Sequence, residues 1–172
     1  MSEPHWGEPR TKTVTWYDPA TTAAASATMT GLEVMRAMLD GDLPGPPIAG
    51  LMDFHGEQVS DGEVLFRCRP DESAYNPIGT VHGGLVCTLL DSALGCAVHT
   101  TLPAGTGYTS LEIKVSYLRP VRAGEGDLLA RGRVTRRGRR ASFAEGEVRD
   151  ERDRLVATAS STCLVFPLPA AS

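Results

Sequence analysis

An α+β fold, with an antiparallel sheet of five or six strands wrapped around one long central helix, is predicted by three features of this 172-residue sequence. The first is the stretch 83–99, where Leu85, Val86, Leu89, Leu90, Ala93, Leu94, Ala97 and Val98 recur at three- and four-residue spacing. Small or apolar residues fill most of the positions between them, which describes a helix buried nearly all round. Thr88, Asp91 and Ser92 interrupt the run, and it falls short of the ~20 apolar residues of a bilayer span. The second feature is a quick succession of strand candidates at 108–118, 126–136, 140–149 and 155–166. Connections this short force antiparallel neighbours, because a parallel crossover needs a dozen or more residues. The third is the last of those strands, which carries Ala157, Ala159, Ser161 and Cys163 between Leu155 and Val165 on one face. Small residues let a large element pack closely, and the helix at 83–99 is the candidate of matching size.

Taken in order, residues 1 to about 28 are polar, rich in Thr and Ala and without a sustained period, which predicts an extension that is mobile or laid over the surface. Trp6 and Trp16 are expected to dock on the body or on a second subunit. Thr30 can cap a short helix over 31–40, with Leu32, Met35, Met38 and Leu39 on one face and Gly41 as its stop. A Pro-rich loop follows at 43–47. Residues 48–59 and 63–69 are predicted as the first two strands, joined at Ser60-Asp61-Gly62, since 63–69 alternates and Asp-Gly is a hairpin signal. Gly138 and the run Asp150-Glu151-Arg152-Asp153 sit where later hairpins need turns. The expected division is an extension at 1–44, one domain at 45–167 and a tail at 168–172.

Composition narrows the function classes. A formal net charge of −4 gives no global reason to expect nucleic acid, although Arg-Arg-Gly-Arg-Arg at 136–140 is a local basic cluster. Cys68, Cys87, Cys96 and Cys163 form no C-x-x-C pair and have no histidine at finger-like spacing, so neither zinc nor thiol redox chemistry is indicated. Cys87 and Cys96 fall on opposite faces of one helix and cannot bridge. Buried thiols in a reducing compartment are the expectation. Met1 to Trp6 lacks the charged and apolar regions of a secretion signal, so a cytoplasmic protein is expected.

The candidate chemistry lies on the helix at 83–99. His82-Gly83-Gly84 stands at its start, where backbone N–H groups lack intrahelical partners and the macrodipole adds about half a positive charge. With no side chain at either glycine, a carbonyl oxygen could approach those N–H groups as in an oxyanion hole. The pair could equally serve tight packing alone. Asp91 adds weight, because a carboxylate between Leu90 and Ala93 in an apolar helix costs several kcal/mol unless it is partnered or faces a wet site. Gly83 and Asp91 are eight residues apart, about 12 Å along the axis and some 80° around it. One carbonyl cannot touch both. If both act on one substrate they come from two copies of the chain, related by a two-fold axis.

The combination Asn76-x-x-Gly79-x-x-His82-Gly83-Gly84, with Asp91 nine residues after the histidine, then Tyr108-Thr109-Ser110 and Tyr117-Leu118-Arg119-Pro120, resembles the PaaI-type branch of the hotdog-fold acyl-CoA thioesterases. The resemblance covers about 45–167 and implies a sheet wrapped around a central helix, paired into a homodimer and often doubled to a homotetramer. It implies that Asp91, from the other subunit, is nucleophile or general base and that the Gly83 N–H polarises the thioester carbonyl. His82 and Asn76 would shape the site, and Ser110 would orient the attacking water. A thioester needs a placed water, a base and an oxyanion donor, with no cofactor or metal. Arg119, Arg122 and Arg139 are candidates for holding coenzyme A phosphates, although the cluster around Arg139 also reads as a solvated hairpin tip. A non-catalytic acyl-CoA binding or sensing module is the alternative on the same fold. A hydratase of this fold would pair its Asp with a His a few residues later, whereas His99 is eight residues on. His55 and His99 read as ordinary surface or core histidines.

Overall fold

In the computed structural model, which describes residues 5 and 7–169, a six-stranded sheet curls around the long helix. The elements in chain order are α1 (Pro19–Ala25), α2 (Gly31–Asp40), α3 (Pro47–Met52), β1 (Phe54–Ser60), β2 (Glu63–Cys68), α4 (Gly83–His99), β3 (Thr106–Tyr117), β4 (Leu128–Arg136), β5 (Ala141–Asp150) and β6 (Leu155–Pro167). Every strand pairing is antiparallel and the spatial order is β1-β2-β4-β5-β6-β3. All eight apolar residues predicted for the central helix are buried. No helix among the described residues is long and apolar enough to cross a membrane.

The helix sits low on the sheet because the strands beneath its middle carry small residues or none. Ala157, Ser161 and Cys163 of β6 are buried under it, as the small-residue face predicted. The deeper cause lies on β4, where a Cβ built on Gly132 would stand 2.3 Å from the Ala93 carbonyl oxygen. Gly132 pairs across the strands with Gly146, whose own Cβ would press on Leu94. No side chain fits between α4 and the sheet at that point.

The N-terminal part departs from the sequence reading in two places. Residues 48–52 belong to helix α3, not to the first strand, because Pro47 starts the helix with its preset φ and Asp53 closes it at a φ of 53°. α1 was not expected; Asp18 caps it by accepting the Ala20 N–H at 2.9 Å, and Pro19 opens it. α2 matches its predicted bounds, with the Thr30 hydroxyl and Glu33 carboxylate forming a reciprocal capping box. Val34 and Met35 of this helix are buried, and Leu39 reaches toward Gly56 of β1. Trp16 is 60% exposed, so it does not dock on the body of its own chain. Trp6 and the last three residues of the predicted tail lie outside the described residues.

β3 is an edge strand. Its residues pair on one side with β6, with a bulge between Ser110 and Glu112 that leaves Leu111 59% exposed. A twelve-residue edge with unpaired N–H and C=O groups is a template for another strand.

Candidate active site

The loop before α4 is built around Asn76. Its side-chain Oδ1 accepts the N–H groups of Ile78 at 3.1 Å and Thr80 at 3.3 Å, and its Nδ2 donates to the Thr80 hydroxyl at 2.9 Å. The side chain is thus spent on shaping the turn. His82 follows in extended backbone as the N-cap of α4, and its Nδ1 accepts the Gly84 N–H at 2.8 Å. A neutral ring accepting at Nδ1 carries its proton on Nε2, which leaves a donor free for a ligand. Of the two glycine N–H groups, Gly84's is therefore taken. The Gly83 N–H has no partner among the described residues.

Tyr117 closes over the start of α4. Its hydroxyl donates to the Gly83 carbonyl at 2.9 Å, and its ring would lie 3.1 Å from a Cβ at Gly83. It holds the Gly83–Gly84 peptide group, whose N–H His82 accepts, and so fixes the residue that carries the free N–H from its carbonyl side. Gly83, Tyr117, Leu118 and Arg119 line one cleft of about 300 Å³. Arg119 is the predicted phosphate partner that shares the Gly83 cleft. Arg122 faces Glu125 across 4.0 Å, and Arg139 stands exposed after β4, lining neither this cleft nor the Asp91 cavity.

Asp91 lies about two turns down the helix, half-buried, with its Oδ1 accepting the Ser110 hydroxyl at 2.7 Å. The two predicted residues meet because Asp91 stands where α4 crosses the inner face of β3. The carboxylate opens on a cavity of about 500 Å³. Its walls include Met35, Met38 and Leu39 from α2, Phe54 and Phe66 from the first hairpin, and His99 and Tyr108 at its far end. His99 is thus neither an ordinary surface nor a plain core residue. Its ring stacks on Tyr108 at 5.4 Å between centroids, and burial pushes its pKa below the usual histidine value. Burial likewise raises the Tyr108 phenol well above its ordinary range and the Cys96 thiol to about 11. A signal for this wall was present: Asp91, Gly95 and His99 repeat every four residues, while Tyr108 and Ser110 alternate on one strand face.

Gly83 and Asp91 open on different cavities of one chain. The helical spacing separated them on paper, and the folded chain keeps them separate.

Comparison with known proteins supplies the family. The model of the thioesterase superfamily matches residues 78–157. A Halobacterium salinarum relative, described as a candidate esterase, is 40% identical over 56% of this chain and 67% of its own length. The chain belongs to the thioesterase superfamily. Human acyl-coenzyme A thioesterase 13 is 31% identical over 49% of this chain, a match spanning 59% of that protein. Among solved structures, a phenylacetic acid degradation-related protein from Ralstonia eutropha superposes with a TM-score of 0.70 at 33% identity, covering 76% of this chain and 98% of that one. The hotdog architecture expected from the motif is therefore the fold of this thioesterase-superfamily chain.

Proposed function

We propose that this chain hydrolyses acyl-CoA thioesters at sites completed by two copies, each site taking Asp91 from one copy and the Gly83 N–H from the other. The observation that carries the reading is the separation of these two groups into different cavities of one chain. The open β3 edge offers the surface along which two sheets can join around a two-fold axis. Antiparallel helices across such an axis bring the start of one α4 beside the middle of the other. Membership of the superfamily and the acyl-CoA thioesterase among the relatives support the substrate class.

In this mechanism Asp91 acts as general base. Ser110 fixes one carboxylate oxygen and leaves the other to take a proton from water as the water oxygen attacks the carbonyl carbon. The Gly83 N–H binds the oxyanion as it forms, while Tyr117, on the carbonyl of the same residue, holds the following peptide group in place. Collapse breaks the C–S bond; the CoA thiolate leaves and recovers the proton from the Asp91 carboxyl. His82 caps the helix and offers Nε2–H, Asn76 keeps the loop in shape, and Arg119 is placed to meet a CoA phosphate.

The test is release of free thiol from short, medium, long and aromatic acyl-CoAs. Wild type turns over at least one class, and Asp91→Asn loses about 10²–10⁴-fold in kcat while keeping its melting temperature. Equal turnover by both proteins removes Asp91 from the chemistry. Acyl-CoA binding without thiol release by wild type would establish the non-catalytic module instead.

A further inference from the structure

The cavity beside Asp91 has a built end. From Asp91 to His99 the helix advances eight residues, about 12 Å at 1.5 Å per residue. At that far end the His99 and Tyr108 rings lie 38° from parallel with centroids 5.4 Å apart. Behind them the first residue of α2 closes the wall. A Cβ on Gly31 would stand 1.8 Å from the His99 carbonyl oxygen, and the Gly31 N–H donates to the Leu102 carbonyl at 3.0 Å. Not even a methyl group passes between α2 and α4 there. The roof is the same helix one and two turns on, where Met35 and Met38 face the cavity. Thioether side chains give it a soft, apolar surface that moulds to a flexible chain.

Resting on the thioesterase reading above, the geometry points to an acyl chamber blocked at its His99 end, whose length limit is set by the N-terminal extension, through Met38 and the Gly31–His99 seal, and whose substrates are medium-chain, linear acyl-CoAs. An extended chain advances about 1.2 Å per bond, one third of the span of a three-bond backbone residue, so about 12 Å of chamber holds roughly eight to ten carbons. The cavity volume of about 500 Å³ exceeds that of such a chain, so the distance to the seal, and not the volume, sets the limit. Palmitoyl groups would have to break the seal. Short acyl groups would leave apolar wall uncovered and lose the transfer free energy of each missing methylene. The extension, as roof and end wall, is therefore a specificity element.

Two measurements test this, each on the full chain. Thiol release is followed for saturated acyl-CoAs from butyryl to palmitoyl, with benzoyl- and phenylacetyl-CoA as aromatic arms. Wild type favours octanoyl or decanoyl over palmitoyl by about tenfold or more in kcat/KM. Met38→Trp, which fills the roof at a half-buried position, lowers the decanoyl-to-butyryl ratio by about tenfold, and Met38→Ala raises the dodecanoyl-to-octanoyl ratio. Calorimetric binding of the same series to Asp91→Asn reads the chamber without turnover. If wild type releases no thiol but binding still peaks at octanoyl to decanoyl and shifts with Met38→Trp, hydrolysis falls and the chamber stands. If palmitoyl or an aromatic acyl group binds best, or if the length profile ignores both Met38 variants, the chamber assignment is overturned.

Discussion

The two halves of α4 are one helix by sequence and two environments by structure. Its first turn is polar and made of backbone: two glycines, a histidine cap, a tyrosine hydroxyl on a carbonyl, and one free N–H. Its second half is apolar and made of side chains, with a carboxylate at the mouth of a chamber and stacked rings at its end. Neither half is a complete catalyst. The first can hold a negative oxygen and has no base beside it; the second has the base and no free backbone donor. The difference teaches that a run of apolar periodicity does not make a helix uniform, and under the proposed mechanism it makes a pair of helices the unit of function.

Breaking each half separately and then mixing them gives the largest effect. Gly83→Pro deletes the N–H at the one helical position where proline is welcome, and His82 already has the extended backbone that precedes a proline. This change is expected to lower kcat about 10²–10³-fold, whereas Gly83→Ala, with the same pressure on Tyr117, keeps most activity. Unfolding and refolding Gly83→Pro together with Asp91→Asn restores roughly a quarter of wild-type turnover, since half of the dimers are mixed and each mixed dimer holds one intact site. Failure to complement, with both variants folded, places the two groups in independent roles.

A smaller effect sharpens the second half. Ser110→Ala removes a hydrogen bond to a carboxylate, a loss of about 1.5–3 kcal/mol or roughly tenfold or more in kcat, with KM little changed because Ser110 orients Asp91 and does not bind the acyl chain. Ser110→Thr, which keeps the hydroxyl, is expected to recover most of the rate. The smallest is a matter of stability. His99 is half-buried, with its folded pKa below the unfolded value near 6.5, so the unfolded chain binds the extra proton. Its favourable contribution is therefore present above pH 6.5 and is lost as pH falls toward the folded pKa. Thermal melts of His99→Gln should fall less steeply between pH 7 and 5 than those of wild type.

Much of this arrangement was legible in the sequence. The bounds of α4 and the Thr30 cap of α2 rest on local periodicity and capping chemistry, which the chain carries with it, whereas Ser110 joins Asp91 in the sequence only through the motif resemblance. The strand predicted over 48–52 went wrong because apolar residues in a short run do not declare their period, and the Pro46-Pro47 pair that starts α3 also reads as a loop. The hold of Tyr117 on Gly83, the capture of the Gly84 N–H by His82 and the place of His99 in the chamber wall were not legible, because each depends on which distant residue the fold brings alongside.

Gly132 lies on a strand that forms no part of either half, yet it acts as a missing shim. The height of α4 above β4 is fixed by the absence of a side chain there, with the Ala93 carbonyl 2.3 Å from where a Cβ would be. Asp91 is two residues from Ala93, and its 2.7 Å contact with Ser110 on β3 depends on that height. A single methyl at Gly132 lifts the helix and opens that contact, so Gly132→Ala should slow hydrolysis while touching neither substrate nor base. The clearance of the Asp91–Ser110 hydrogen bond is gauged on the opposite side of the helix.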